Sequence, residues 1–330
     1  LKETIENTQE AVKQAENMAK KLPLDMILGI SGEMVKGMTV TLDFQRIKPD
    51  RPIDEQELKS MVYELQWQAH DLIRRAIASE LCIQDVDLKL MNASILLMRI
   101  DQEIVENPVG MTGATFTLDV FNSFALLAQF GHLQTIALEL PYHRLKGVFI
   151  HSFAVAYAFT LQDALQSAVV IDIGASGTDL CVVESGRIIG NRSFSLGGNA
   201  ITKRISRELA TSFNEAEAIK IGLSEGKLEK KSHQVIEEAI FPDLDLWISS
   251  VEFSLKELPM KFLPKKIMIS GKGSLLSYYA KAILEHDWVH HFPLEGDLEI
   301  KSLDYADLTP SDIMGGNFEK DYLSLVALAI

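Results

Sequence analysis

Residues 169–183, which read VVIDIGASGTDLCVV, constrain the fold of this chain more than any other stretch. Two apolar strands flank a loop, and Asp172 stands near the end of the first strand. A two-residue turn is enough to join the strands of a hairpin, but this loop is longer and consists of small and hydroxyl-bearing residues. They are Gly174, Ala175, Ser176, Gly177 and Thr178. The loop therefore needs a reason beyond turning the chain.

A bound phosphate would supply that reason. Gly174 and Gly177 allow backbone N–H groups to approach phosphate oxygens closely, and Ser176 or Thr178 can add a hydroxyl. Asp172 is a ligand for Mg²⁺, because this ion favours carboxylates together with substrate phosphates. The segment predicts a phosphate-binding hairpin that also holds a metal. A plain hairpin with a glycine-rich turn is the alternative.

Two glycines follow the hairpin at the start of a predicted helix. Gly197 and Gly198 directly precede the helical pattern NAITKRISRELATSF, and the N–H groups at a helix N-terminus attract anions. Asn199 as a simple helix cap is the alternative. Both interpretations can hold at once.

Two later segments carry further signals. Glu217 and Lys220 are three residues apart in a predicted helix, so they project from the same face; a surface salt pair is the usual explanation. The segment MISGKGSLL runs from a strand into Gly271, Gly273 and Ser274 before the next helix, an arrangement suited to the close approach of a flat ligand. It matches neither the P-loop nor the dinucleotide-binding fingerprint.

The pattern of the whole chain indicates an α/β fold with mixed sheets, because helical and strand segments alternate along its 330 residues. A helix is predicted to begin near Asp54 and to bury one stripe of its residues. These are Leu58, Met61, Leu65, Ala69, Leu72 and Ala76. The basic segment KLEKKSHQ, 227–234, is interpreted as a solvated loop.

Composition excludes several classes of function. The net charge of −14 argues against a sequence-independent nucleic-acid binder. No apolar run reaches the roughly 20 residues that span a bilayer, and the polar start LKETIENTQEAV does not look like a signal peptide. The two cysteines, Cys82 and Cys181, are far apart in apolar surroundings and are expected to be reduced thiols in the core.

The order of these motifs resembles the second half of an actin/Hsp70-type ATPase, and within that superfamily the chain most resembles the bacterial cell-division protein FtsA. Four stretches carry the resemblance. They are QAENMAKKLPLDMILGISGEMV, ENPVGMTG, the hairpin segment that continues to SLGGNAITKRI, and EAEAIKI. NPVGMTG discriminates best, because it resembles part of a small subdomain that FtsA and its pilus relative PilM insert into the first lobe.

The resemblance implies an actin-like (ribonuclease H-like) two-lobed fold with an inserted SHS2-type subdomain, without the N-terminal part of the first lobe. The implied divisions are a first-lobe remnant, the inserted subdomain, the first lobe continued, the nucleotide-binding second lobe and a closing helix that returns to the first lobe. They correspond to residues 1–33, 34–113, 114–160, 161–310 and 311–330.

It also implies an ATP site with Mg²⁺. Asp172 would hold phosphate and metal with the hairpin residues Gly174, Ser176, Gly177 and Thr178. Gly197 and Gly198 would lie against the nucleotide, and Glu217 and Lys220 would contact ribose and base. The adenosine side would be closed by Gly271, Gly273 and Ser274.

The role implied for such a protein is a scaffold in division at the septum. It would self-associate into filaments, bind the FtsZ-like ring protein and lie in the cytoplasm at the inner face of the membrane, which it would contact only indirectly or through a segment absent here. No catalytic residue is assigned. The family's first phosphate loop would precede Leu1, and without it phosphates are held from one side, so weak nucleotide binding and at most a weak ATPase are expected.

Departures from the family pattern leave alternatives open. The hairpin reads A-S-G-T where relatives usually have G-G-T, and Lys272 interrupts the expected Gly-Gly of the adenosine loop. A PilM-like scaffold for type IV pilus assembly is one alternative, and a nucleotide-independent, degenerate actin-like adaptor is another. A sugar kinase of the same superfamily is disfavoured by NPVGMTG and by the missing first phosphate loop.

Overall fold

The computed structural model describes residues 1–22, 24–31, 35–140, 144–161, 166–294, 296–303 and 308. The chain divides into two compact units. The first comprises Leu1–Ile30 and Met34–Ile150, and the second comprises Ser31–Glu33 and His151–Ile330. The closing helix expected at 311–330 lies outside the described residues.

The described residues of the first unit form three helices and six strands. In chain order they are α1 (Lys2–Ala19), β1 (Asp25–Ile30), β2 (Val35–Gln45), α2 (Glu55–Leu81), β3 (Leu88–Ile100), β4 (Glu103–Ile104), β5 (Thr115–Leu126), α3 (Leu127–Leu138) and β6 (Arg144–Ile150). β1 and β6 pair in parallel. β2, β5, β3 and β4 follow one another in an antiparallel arrangement.

Helix α2 covers this antiparallel sheet. It begins where predicted, because the Asp54 carboxylate caps the helix by accepting a hydrogen bond from the Glu57 N–H at 2.8 Å. Its fully buried stripe follows an i, i+4 spacing: Met61, Leu65, Ala69, Ile73 and Ile77. The prediction was therefore wrong at Leu72, which is 46% exposed, because the stripe continues by steps of four residues.

Strand β5 forms the centre of the sheet. It pairs with β2 from Thr115 to Ala125 and with β3 from Phe116 to Leu126. The sheet that starts within the predicted subdomain 34–113 thus includes a strand beyond its end. The assignment of that segment as an inserted SHS2-type subdomain stays a prediction.

Arg46 connects several segments of this unit through hydrogen bonds of its guanidinium. Its guanidinium donates to both oxygens of Glu57, at 2.8 and 3.0 Å, and to the carbonyls of Gly113 and Arg51 at 3.0 and 2.8 Å. The hydrogen bond with Glu57 raises the pKa of Arg46 further, so the charge is permanent. Because the side chain is only 2% exposed, it is a built-in cross-link between β2, α2 and the loop before β5.

The second unit contains five helices and five strands among its described residues. They are α4 (His151–Thr160), β7 (Ala168–Ile173), β8 (Thr178–Glu184), β9 (Arg187–Phe194), α5 (Gly198–Glu208), α6 (Phe213–Ser224), α7 (Lys230–Lys256), β10 (Lys266–Ser270), α8 (Tyr278–Glu285) and β11 (Glu299–Ser302). The strand order is β11-β10-β7-β8-β9. The first three are parallel and the last three antiparallel.

The core of the second unit lies between this mixed sheet and the helices α5 to α8. Fully buried members include Ile171, Leu180, Trp247, Ile267 and Trp288. Helix α4 contacts β7, β8 and β9. The predicted solvated loop at 227–234 is wrong in part, because α7 already begins at Lys230.

The two cysteines have different environments. Cys181 is completely buried, and burial raises the pKa of its thiol. Cys82 was expected in the core but is exposed, because it follows the end of α2 in a left-handed conformation at φ 54°. No helix within the described ranges is long and apolar enough to cross a bilayer.

Arg46→Met is expected to lower the free energy of unfolding of the first unit by about 3 kcal/mol, because it leaves a carboxylate and two carbonyls without their partner. Urea titration followed by circular dichroism measures the change. Arg51→Met is the matched control, since this arginine is 62% exposed and pairs with Asp54 at the surface. Equal midpoints for the two variants would contradict the cross-link.

Candidate nucleotide site

Asp172 and Ser270 lie side by side at the ends of two parallel strands. β7 and β10 pair with Ser270 opposite Asp172, and the Ser270 hydroxyl donates to Asp172 Oδ1 at 3.1 Å. Burial raises the pKa of the Asp172 carboxyl, an effect that the nearby His151 and the Ser270 hydrogen bond oppose. A cation bound at this carboxylate would offset the cost of burying its charge.

The predicted adenosine loop lies directly on this strand end. Gly271 has φ +80°, and a Cβ there would be 2.4 Å from the Ile173 carbonyl oxygen and 2.5 Å from Asp172 Oδ1. At Gly273 a Cβ would be 2.4 Å from Ile173 Cγ2. Ser274 turns its hydroxyl back onto the Gly271 carbonyl at 2.7 Å. Both glycines are therefore required by the close approach of the loop to β7.

The hairpin loop is closed by its own backbone and caps the next helix. The Gly174 N–H donates to the Gly177 carbonyl at 2.9 Å. The carbonyls of Gly174 and Ala175 then accept the N–H groups of Gly198 and Asn199, at 2.9 and 2.7 Å. The expectation of an open, anion-attracting N-terminus of α5 is thus corrected, because its first N–H groups already have partners. Asn199 as a cap is also wrong, since the capping residue is Gly197 and no side chain caps the helix.

Gly197 fits this junction because it has no side chain. A Cβ would be 2.5 Å from the Gly174 carbonyl oxygen and 2.9 Å from both the Ala175 oxygen and the Gly177 nitrogen. Its φ of −142° is accessible to any residue. The requirement for glycine here is steric and comes from the backbone of the hairpin.

The two candidate hydroxyls have different surroundings. Thr178 is buried, donates to the Leu196 carbonyl at 2.6 Å and accepts the indole N–H of Trp247 at 2.9 Å. Ser176 is exposed at the tip of the hairpin. Within the part of the chain that the structure describes, the N–H groups of Ala175, Ser176 and Gly177 have no partner. The tip therefore offers three donors and one hydroxyl, while Thr178 supports the fold.

Glu217 and Lys220 form an internal network and are more than a surface pair. The Lys220 ammonium donates to Glu217 Oε2 at 2.8 Å, to Thr202 Oγ1 at 2.9 Å and to the Gly198 carbonyl at 3.2 Å. Burial acts to raise the pKa of Glu217, but the hydrogen bonds from Lys220 and Thr202 outweigh it, so this pKa lies below its ordinary value. The network joins the helix α6 to the start of α5 beside the hairpin.

Sequence reasoning missed Asp179. The β7–β8 register places it directly opposite Asp172, and it is only 5% exposed. Its Oδ1 accepts the hydroxyls of Ser193 and Ser31 at 2.5 and 3.3 Å. Its carboxylate is bonded toward Ser193 of β9, whereas the carboxylate of Asp172 is bonded toward Ser270 of β10. The sequence did contain a signal for this residue, because counting outward from the hairpin loop along both strands pairs residue 172 with residue 179.

The donor set suits Mg²⁺. This ion is usually bound by one or two carboxylates, with waters and phosphate oxygens completing its octahedron. Asp172 supplies one carboxylate, and the hairpin tip lies at the end of the same strand. No cluster of three or more His, Cys, Asp or Glu side chains that could hold a metal occurs among the described residues.

All three predicted segments therefore meet in the second unit. The mixed α/β sheet of this unit agrees with the predicted actin-like fold class. A model of the family "Cell division protein FtsA" matches residues 169–245, from the hairpin into α7. The chain is also 25% identical over 287 residues, 81% of its length, to the cell division protein FtsA of Neisseria meningitidis serogroup B. It spans 65% of the length of that relative.

A solved structure of the PilM–PilN type IV pilus biogenesis complex is similar over nearly the whole chain. The match covers 97% of this chain and 83% of the other, with a TM-score of 0.65 and 15% sequence identity. The resemblance to FtsA, with PilM as the alternative, is thus confirmed, and so is the mixed α/β fold class. Identity this low shows the shared fold and nothing about shared partners.

Gly197→Ala is expected to lower the free energy of unfolding by about 1–3 kcal/mol, because the new methyl group overlaps the hairpin backbone. Gly131→Ala is the control. No atom lies within 4 Å of a Cβ at Gly131 in α3, so alanine should be neutral or stabilise by up to about 1 kcal/mol. Urea midpoints of both variants measure the effect, and an unchanged Gly197→Ala midpoint would show that the contact is not tight.

Proposed function

We propose that this chain binds Mg-ATP in the second unit and acts as an FtsA-type, actin-like scaffold in bacterial cell division. One observation carries the proposal. Three segments far apart in sequence, 172–178, 197–220 and 270–274, meet at the ends of β7 and β10. The hairpin has the residues of a phosphate site and the loop those of an adenosine site, and the two are in contact through Asp172 and Gly271. A nucleotide, which contains both groups, suits this arrangement better than a phosphate or an adenosine alone.

Each residue has a proposed role. The N–H groups at the hairpin tip and the Ser176 hydroxyl hold phosphate oxygens, while Asp172 holds Mg²⁺. When bound, the ion neutralises phosphate charge. Gly197 and Gly198 bring backbone close to the nucleotide. Glu217 and Lys220 contact ribose and base, and the loop Gly271–Ser274 closes the adenosine side.

The nucleotide is proposed to order the protein more than to be consumed. The Glu217 carboxylate is already bonded to Lys220 and Thr202, and no residue is assigned as a catalytic base. A weak ATPase at most is proposed. Self-association, contact with an FtsZ-like ring protein and a position at the cytoplasmic face of the membrane belong to the same proposal.

Two alternatives use the same fold. A PilM-like pilus scaffold shares the fold, since the structural match covers 97% of the chain. A nucleotide-independent adaptor would use the fold with a vestigial site. Nucleotide binding separates the adaptor from the other two, and binding to the ring protein separates the FtsA-type role from the PilM-type role.

The unaltered chain is expected to bind ATP in Mg²⁺ by calorimetry, and Asp172→Asn is expected to weaken binding by about tenfold or more, or ~1.4 kcal/mol. Ser176→Ala should weaken it by a smaller factor, through the loss of one hydroxyl. Asp297→Asn is the matched control, because Asp297 is exposed and lies outside the site. Absence of ATP binding by the unaltered chain would leave the adaptor as the function.

Co-sedimentation tests the partner. Polymers of an FtsZ-type ring protein, assembled with GTP, are expected to carry more of the chain into the pellet than sediments from the chain alone at the same concentration. Equal amounts of the chain in the two pellets would contradict the FtsA-type role and favour the pilus scaffold.

A further inference from the structure

A second polar groove lies between α5 and α7, beside the tip of the hairpin. Its cavity has a volume of about 270 Å³, and its polar lining consists of side chains from three segments. These are Ser176, Ser195, Asn199, Lys203, Arg204, Arg207 and Asp243. Of the residues predicted for the nucleotide, only Ser176 belongs to it, so the groove is distinct from the surroundings of Glu217, Lys220 and Gly271.

The positive charge of the groove is only partly neutralised. Arg204 is paired, since its guanidinium donates to the two oxygens of Asp243 at 2.6 and 3.2 Å. Lys203 and Arg207 are exposed, and within the described ranges neither makes an ion pair. Two unpaired cations one helical turn apart are notable in a chain whose net charge is −14.

Neutral donors line the same cavity. Ser176, Ser195 and Asn199, whose side chains carry hydroxyl or amide donors, are among its lining residues. The first N–H groups of α5 are already bonded to the hairpin, so a ligand here would be held by side chains. A guanidinium fork, an ammonium and several neutral donors together suit the oxygens of a phosphate group better than a single carboxylate.

We propose that this groove binds a phosphate-class anion through Lys203 and Arg207, with Ser176, Ser195 and Asn199 as neutral donors. The volume accommodates a phosphate or diphosphate group. Phosphate of this kind can come from a soluble diphosphate or from the headgroup of an anionic lipid. Because Ser176 also lies at the hairpin tip, an anion in the groove adjoins the proposed nucleotide without sharing its other contacts.

Calorimetry with inorganic pyrophosphate, without Mg²⁺, tests the groove. The unaltered chain is expected to bind, and Lys203→Gln with Arg207→Gln is expected to weaken binding at least tenfold. The control carries Lys230→Gln and Lys261→Gln, which remove the same charge from exposed positions of the same unit outside the groove. Equal weakening in both double variants would show that binding depends only on net charge, and this result would overturn the proposal.

Vesicles separate the two sources of phosphate. Flotation with phosphatidylglycerol vesicles, compared with phosphatidylcholine vesicles, shows whether a headgroup is held. Loss of vesicle binding in the Lys203/Arg207 variant supports the lipid source even where pyrophosphate does not bind. Binding of neither probe by the unaltered chain, or unchanged binding by the variant, overturns the proposal.

The outcome is independent of the proposed nucleotide function. Asp172→Asn is expected to lose Mg-ATP and to keep pyrophosphate binding, whereas the Lys203/Arg207 variant is expected to do the reverse. Loss of both ligands in Asp172→Asn would assign pyrophosphate to the nucleotide site and refute a separate groove.

Discussion

The close contact of Gly197 with the hairpin backbone is the constraint on which the site depends. Because no Cβ intervenes, α5 begins against the hairpin loop, and two carbonyls of the loop accept its first N–H groups. This position of α5 places Gly198 and Thr202 within reach of Lys220, and Lys220 in turn holds Glu217. The hairpin therefore positions α5 and, through it, α6.

A second contact joins the two ends of the site. The hydroxyl of Ser270 reaches Asp172, and the backbone of Gly271 lies so close to the same carboxylate that any side chain would overlap it. The end that would hold phosphate and metal and the end that would hold adenosine are thus built on two adjacent parallel strands. Neither end can shift far without the other.

Much of this arrangement could be predicted from the sequence, because glycine, hydroxyl and acidic residues at strand ends are local signals. The hairpin, the helix after Gly198 and the loop at Gly271 were all placed correctly. Residues whose role depends on strand pairing were not. Asp179 becomes a partner of Asp172 only through the register of β7 and β8, which composition does not reveal.

Other differences also have tertiary causes. The sequence left Ser176 and Thr178 equivalent, and only the contacts of Thr178 with Trp247 and Leu196 show that its hydroxyl is used within the fold. Cys82 was placed in the core from its apolar neighbours, but it follows the end of α2, where the chain turns outward. The local sequence pattern shows which residue types are present at a site. Tertiary packing decides which of their polar atoms remain free to contact a ligand.

The hydrogen bond between Trp247 and Thr178 has a practical consequence. Trp247 is buried, and its indole is hydrogen-bonded to Thr178 at the base of the hairpin. The other two tryptophans lie elsewhere. Trp67 is 69% exposed in the other unit, and Trp288 donates to a helix carbonyl away from the hairpin. Since indole emission responds to the polarity and hydrogen bonding of its surroundings, the chain carries an intrinsic fluorophore at its hairpin. With Trp67 and Trp288 replaced by phenylalanine, the remaining emission would report the state of that loop without any attached label.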